Sequence, residues 1–150
     1  MNKKKKPASC SHFSHLQLNV SDMETSKRFY LRALAPLGFC EADSAAGEYT
    51  RLTNGTDMVI VLCPTELKHR NSTYHRKATG LGHFAIAVSS NIVVDEMERH
   101  ILSLKIPILG EGKVELGYRR GYYCILFEDP DRIMIEIVSH DPFYFSYEKP

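Results

Sequence analysis

Apolar and polar residues alternate along two short segments of the chain, and both segments begin with histidine. "HLQLNV" (residues 15–20) and "HFAIAV" (residues 83–88) share this alternation and a closing Val, and they lie 68 residues apart. Alternation with a period of two places successive side chains on opposite faces of a strand. The pattern therefore predicts two equivalent strands, with His15 and Gln17 on one face of the first and His83 and Ala85 on one face of the second.

A helical pattern follows each of these strands. Ser21-Asp22 can cap the first helix, and Pro36-Leu37-Gly38 ends it; Ser89-Ser90-Asn91 and Lys105-Ile106-Pro107 have the same roles in the second half. Each half then closes with a strand, a polar turn and a strand, in "YTRLTNGTDMVIVLC" and "YCILFEDPDRIMIEIV". The predicted order in each half is therefore β-α-β-β-β.

Two such halves predict an α+β fold, in which tandem βαβββ modules form a curved sheet around a shared cavity lined by both halves. We expect one domain over residues 12–139, with module one at about 12–63, a linker at 64–80 and module two at about 81–139. Residues 1–11 are predicted to be a disordered basic tail, and residues 140–150 form a C-terminal aromatic tail.

Composition narrows the classes of function. A chain of 150 residues with 43% hydrophobic residues suits one compact domain. Its net charge is only +1, and much of the basic excess lies in Lys3–Lys6, so no nucleic-acid partner is expected. No apolar stretch is long enough for a membrane span. Four cysteines at positions 10, 40, 63 and 124 form no C-x-x-C pair, which suits reduced thiols and a cytoplasmic protein.

Glu136 is a lone carboxylate within the apolar run "IMIEIV". An unpaired buried charge costs several kcal/mol, so this residue requires an edge position, an Arg or Lys partner, or a metal ion. When the last strands of the two halves are aligned by their turns, Glu136 falls opposite Val61. The carboxylate is therefore a departure from the repeat, which favours a functional role.

If the faces of these strands line one cavity, His15, His83 and Glu136 converge there. Two imidazoles and one carboxylate hold a divalent metal and leave positions open for substrate and water. Zn, Ni, Mn, Fe and Co all suit this set, and the absence of thiolates argues against a structural zinc. The alternatives are a hydrogen-bonded core histidine and an edge glutamate paired with arginine.

Four further residues are candidates for substrate binding. Gln17 shares the face of His15, and Tyr122 and Cys124 are expected to face the cavity beside Glu136. Tyr122 can donate a hydrogen bond to an oxyanion. Cys124 is interpreted as a small packed side chain rather than as a nucleophile. Arg76, in the linker, suits an anionic substrate group, with a solvated loop as the alternative.

Three segments resemble the vicinal oxygen chelate superfamily, which includes glyoxalase I, extradiol dioxygenases, fosfomycin-inactivating transferases and bleomycin-sequestering proteins. These segments are "FSHLQLNVSDMETSKRFYLRALAPLGF", "GLGHFAIAV" and "YYCILFEDPDRIMIEIV", and the resemblance covers residues 12–139. It implies metal ligands at the first-strand His15, the fifth-strand His83 and the eighth-strand Glu136. Glyoxalase I usually supplies a fourth ligand where this chain has Val61.

The resemblance implies a metal-dependent enzyme acting on a small oxygenated substrate, either a glyoxalase I-like (lactoylglutathione lyase-like) lyase or isomerase, or a dioxygenase. Glu136 would then also act as a base. The alternatives are a bleomycin-resistance-like protein that binds a small molecule without chemistry, and a fosfomycin-type thiol transferase. Sheets of this family often complete their sites or bury their edges in dimers, so a homodimer is a candidate assembly.

Overall fold

The computed structural model describes residues 13–56, 58–72, 74–110, 114–115 and 122–139. Both predicted tails lie outside these residues. Within them the order of elements is β-α-β-β-β twice, which confirms the fold predicted from the repeat.

Each module contributes one helix and four strands. Module one contains β1 (Leu16–Val20), α1 (Met23–Ala33), β2 (Cys40–Ala45), β3 (Tyr49–Thr53) and β4 (Val59–Pro64). Module two contains β5 (Phe84–Ala87), α2 (Asn91–Ser103), β6 (Val114–Glu115), β7 (Tyr123–Glu128) and β8 (Met134–Ser139). Short 3₁₀ turns occupy Ala35–Leu37 and Leu67–His69.

The predicted signals set the helix ends. Asp22 caps α1 by accepting a hydrogen bond of 2.7 Å from the backbone N–H of Thr25. The helix ends at Ala33, ahead of Pro36, and Gly38 then adopts the left-handed conformation (φ +81°) that only glycine takes without strain. Ser90 precedes α2 in extended conformation, although its side chain makes no capping hydrogen bond.

Each module forms its own four-stranded sheet, with strand orders β1-β4-β3-β2 and β5-β8-β7-β6. The first strand of each module pairs in parallel with the last: Gln17 lies opposite Val61, and Ala85 lies opposite Glu136. This register places Glu136 at the position that Val61 occupies in module one. The alignment of the two halves made from the sequence is therefore correct.

One face of each sheet packs against the helix of its own module and forms the core. Tyr30, Ala33 and Leu34 are buried in module one, and Val94, Met97 and Ile101 are buried on α2. The opposite face of the first sheet is more open, since His15, Gln17 and Arg51 are exposed there. Neither α1 nor α2 is long and apolar enough to cross a membrane.

The two modules meet where α1 lies against the turn between β7 and β8. The Tyr30 hydroxyl donates to Asp129 Oδ2 at 2.8 Å, and the Ser21 backbone N–H donates to Asp131 Oδ2 at 3.0 Å. The rings of Phe29 and Phe127 pack beside this contact, with centroids 6.4 Å apart. The module interface therefore combines an aromatic contact with two carboxylates of one turn.

Candidate functional site

Glu136 lies on β8 with only 5% of its surface exposed, and both of its carboxylate oxygens have a partner. His83 Nε2 is 3.2 Å from Oε2, and the Tyr122 hydroxyl donates to Oε1 at 2.7 Å. A buried carboxylate requires such partners, because water no longer solvates it. These two contacts explain how the apolar strand accommodates a charged side chain.

Strand order explains why these three side chains meet. β8 lies between β5 and β7, His83 directly precedes β5, and Tyr122 directly precedes β7. In the strand register, Glu136 lies opposite Ala85 on β5 and opposite Leu126 on β7. His83 is two residues from Ala85, and Tyr122 is four residues from Leu126. Because side chains alternate along a strand, both therefore lie on the same face as Glu136. The structure thus places Tyr122 beside Glu136, as strand alternation predicts.

The geometry of His83 and Glu136 fits two ligands of one metal ion. Metal–nitrogen and metal–oxygen bonds of about 2.1 Å put adjacent ligand atoms about 3.0 Å apart at a right angle and about 3.4 Å apart at the tetrahedral angle. The observed separation of Nε2 and Oε2, 3.2 Å, lies between these values. The His83 side chain is 47% exposed, so this side of the pair is open to solvent.

His15 does not join this pair within one chain. It directly precedes β1 on the other sheet, its Nδ1 is 3.2 Å from Ser14 Oγ, and it lines a shallow cavity of about 240 Å³. Across the part of the chain that the structure describes, no three His, Cys, Asp or Glu side chains are grouped to hold a metal ion. Strand alternation predicts which face a side chain takes, but not the distance between two sheets.

Arg51 shares the cavity of His15 and was not among the residues predicted from the sequence. It lies on β3 opposite Val61, which pairs in turn with Gln17 on β1. Its guanidinium forms an ion pair with Asp43, and this hydrogen bond lowers the pKa of the Asp43 carboxyl. The alternation in "YTRLT" was the available signal, because it places Arg51 on the exposed face with Gln17.

The remaining candidates lie in more restricted surroundings. Arg76 forms an ion pair with Glu128 at the end of β7, so an anionic ligand would compete with that carboxylate. Cys124 is 3% exposed, in agreement with its interpretation as a packed side chain. Gln17 is exposed and donates to Asn19 Oδ1 at 3.4 Å. Their roles in substrate binding stay predictions.

The two-module fold is that of a known class. Residues 12–137 match the model of the Glyoxalase/Bleomycin resistance protein/Dioxygenase superfamily. The chain belongs to this superfamily, which confirms the resemblance seen in the sequence.

Individual relatives cover most of the chain. The uncharacterised protein YqjT of Bacillus subtilis is 29% identical over 130 residues, which are 83% of this chain and 96% of YqjT. The crystal structure of a provisionally assigned glyoxalase from Bacillus halodurans is 31% identical, with a TM-score of 0.74 over 84% of this chain and 93% of that one. FosX of Listeria monocytogenes, a fosfomycin resistance protein solved with Mn(II) and dihydroxypropylphosphonic acid, shares the fold at 17% identity, with a TM-score of 0.67 over 90% and 94% of the two chains.

Proposed function

We propose that this protein is a metal-dependent enzyme acting on a small oxygenated molecule, with His83 and Glu136 as two ligands of the ion. The observation that carries the proposal is the 3.2 Å separation of Nε2 and Oε2 on an open face of the sheet. Nitrogen and carboxylate ligands suit Zn, Ni, Mn, Fe or Co. The Mn(II) in FosX supports a divalent ion in this class of fold.

The third ligand in this proposal is His15 of the partner subunit in a homodimer. His15 is exposed on the open face of the first sheet, and by the repeat it is the equivalent of His83. A dimer in which the first sheet of one protomer faces the second sheet of the other would bring His15 toward the pair. Gln17 and Arg51 would approach with it, because they lie on the same face.

The chemistry would combine the ion with residues of the chain. A bound divalent ion polarises neighbouring oxygens of a substrate and stabilises negative charge as it develops. Glu136 is the candidate base, since its Oε2 lies 3.2 Å from the partly exposed His83 while the Tyr122 hydroxyl donates to Oε1. General base catalysis typically contributes about 10² to 10⁴ in rate. A lyase, an isomerase or a dioxygenase reaction would use such a base.

A non-catalytic binding protein is the second candidate, and one observation favours it. Both oxygens of Glu136 already have partners in His83 and Tyr122, so the carboxylate is accommodated without an ion. In that case the open face would sequester a small molecule, as in the bleomycin-resistance members. Fosfomycin-type thiol transfer, by contrast, belongs with the metal-dependent candidate.

Metal analysis separates the two candidates. We expect the purified protein, after reconstitution, to hold one divalent ion per site, and the His83→Ala and Glu136→Gln variants to lose it while circular dichroism shows the fold retained. The control is His75→Ala, which removes an exposed imidazole from the linker. Failure of the wild type to bind any of the five metals, or retention of the ion by His83→Ala, would contradict the metal-dependent function.

A substrate screen follows from the same variants. The loaded protein is tested with the hemithioacetal of methylglyoxal and glutathione, with catechols, and with fosfomycin plus a thiol. Turnover that Glu136→Gln abolishes and His75→Ala preserves identifies the reaction class. Saturable binding of a substrate without turnover, in protein that holds no ion, supports the binding protein.

The cysteines support an intracellular setting for either candidate. Within the described residues, Cys40, Cys63 and Cys124 form no disulfide bond with one another. Burial raises the pKa of the Cys63 thiol, which keeps it protonated and weakly reactive. Free thiols persist in the reducing cytosol, and we place the protein there.

A further inference from the structure

A second cleft lies where the linker meets the end of β1 and the turn between β7 and β8. Its volume is about 500 Å³, within the range of small-molecule sites. Ser21, Arg70, Ser72 and Arg132 are among the residues that line it. His83, Glu136 and Tyr122 do not line it, so the cleft is separate from the candidate metal site.

The linker contributes one guanidinium to the cleft, that of Arg70. Arg70 is exposed, and its guanidinium forms no ion pair with any residue that the structure describes. Arg51 and Arg76 differ in this respect, since each is paired with a carboxylate. An unpaired guanidinium in a cleft is a ready ligand for an oxyanion.

Arg132, from the turn between β7 and β8, adds a second guanidinium to the lining at a conformationally costly position. Its backbone φ is +67°, where a residue with a Cβ atom is disfavoured by about 1–2 kcal/mol and glycine is not. Its Nε lies 3.6 Å from Glu128 Oε2, and Glu128 is already paired with Arg76. A strained residue with a loosely held charge is typical of functional positions.

The other polar groups of the cleft complement an anion. Ser21 and Ser72 supply hydroxyl donors, and His69 supplies an imidazole. Asp131 is the acidic residue of the lining, and its Oδ2 accepts a hydrogen bond of 3.0 Å from the Ser21 N–H. The lining therefore carries two guanidiniums, of Arg70 and Arg132, and one carboxylate, of Asp131.

We propose that this cleft binds a phosphate group of a small phosphorylated molecule, with Arg70 of the linker and Arg132 of the turn between β7 and β8 as its ligands. Two planar guanidiniums can each donate two parallel hydrogen bonds to a phosphate. The site is independent of the proposed metal centre and does not require it to exist.

Pyrophosphate is the probe, and its binding is measured by calorimetry at low ionic strength. We expect Arg70→Gln and Arg132→Gly each to weaken binding about tenfold or more, which corresponds to one charge-assisted hydrogen bond. Arg132→Gly also relieves the strained φ, so this variant should remain folded. The control is Arg99→Gln, which removes the same charge from an exposed position on α2.

Measurement in both the wild type and Glu136→Gln separates this site from the metal site. We expect equal affinities, because Glu136 does not line the cleft. No binding at millimolar pyrophosphate, or equal weakening by Arg99→Gln and Arg70→Gln, would overturn the proposal. Tighter binding of citrate than of pyrophosphate would overturn the assignment to phosphate, and loss of binding in Glu136→Gln would place the anion at the metal site.

Discussion

At the scale of single residues, Ser26 is a buried polar group that the fold leaves unsatisfied. It is fully buried in α1, and its Oγ atom has no hydrogen-bond partner among the residues that the structure describes. A buried hydroxyl without a partner costs about 1–3 kcal/mol, since it loses its bonds to water on folding. Ser26 therefore weakens α1, the helix of module one that contacts module two through Tyr30.

Replacement of Ser26 by alanine should stabilise the protein. We expect Ser26→Ala to raise the free energy of unfolding by about 1 kcal/mol, because it removes the unsatisfied hydroxyl and improves helix propensity. Urea denaturation measures the change. Ser103→Ala is the matched control, since the Ser103 hydroxyl is exposed and donates to the His100 carbonyl at 2.7 Å. A stability gain as large in Ser103→Ala would show that propensity alone is responsible.

At the scale of elements, the turn between β7 and β8 is organised around a buried carboxyl. Asp129 is 5% exposed and accepts hydrogen bonds from the Tyr30 hydroxyl and from the backbone N–H groups of Asp131 and Ile133. Burial raises the pKa of this carboxyl to about 6, and the hydrogen bonds from Ile133 and Tyr30 oppose the rise. The fold therefore favours the protonated form.

This raised pKa predicts a fall in stability with rising pH. The contribution of Asp129 to stability is fully present below pH 3.8, the ordinary pKa of the carboxyl, and is lost as pH rises through about 6. The resulting loss in the free energy of unfolding is as much as about 3 kcal/mol. The Asp129→Asn variant should be as stable as the wild type near pH 4 and more stable than the wild type at pH 7.

Urea midpoints of both proteins at several pH values between 4 and 7 provide the measurement. The difference between them cancels the other acidic groups, such as Asp22 and Asp43, whose lowered pKa values act in the opposite direction. A difference that stays constant across this range would contradict a raised pKa of Asp129. Asp131→Asn, in the same turn, is the control for general changes of turn structure.

The same turn illustrates which local features the sequence predicts. Asp129-Pro130-Asp131 is recognisable as turn chemistry, and Pro36 and Ser90 mark helix ends, because these signals act within a few residues. The burial of Asp129 is not predictable in this way, since its partner Tyr30 lies 99 residues earlier in the chain. The contact of Tyr122 with Glu136 is predictable only in part. Strand alternation predicts that the two side chains share a face, whereas the register of the β7–β8 hairpin sets the distance between them.

At the scale of the whole molecule, the repeat predicts two equivalent sheets but not how they face each other. His15 and His83 occupy equivalent positions in the two modules, and so do Val61 and Glu136. The strand pairing confirms this, because Val61 lies opposite Gln17 and Glu136 lies opposite Ala85. Distances between the sheets depend on packing at the module interface, where α1 contacts the turn that contains Asp129. Such tertiary contacts, and any contact with a second chain, leave no periodic signal in the sequence.

A composite site between two protomers predicts complementation between inactive variants. His15→Ala and Glu136→Gln homodimers would each lack a complete site. A heterodimer would contain one intact site, built from His15 of the Glu136→Gln protomer and the His83–Glu136 pair of the His15→Ala protomer. Random exchange of subunits should therefore restore about one quarter of the metal content of the wild type.

A second mixture is the decisive control for that experiment. His83→Ala and Glu136→Gln alter ligands that the structure places 3.2 Å apart in one chain, so no mixed dimer of these two variants contains an intact site. Mixing them should restore no metal, although the subunits exchange equally well. Recovery in neither mixture, with heterodimers demonstrated by mass spectrometry, would contradict a site shared between protomers. Recovery in both would mean that His83 and Glu136 do not act as ligands of the same ion.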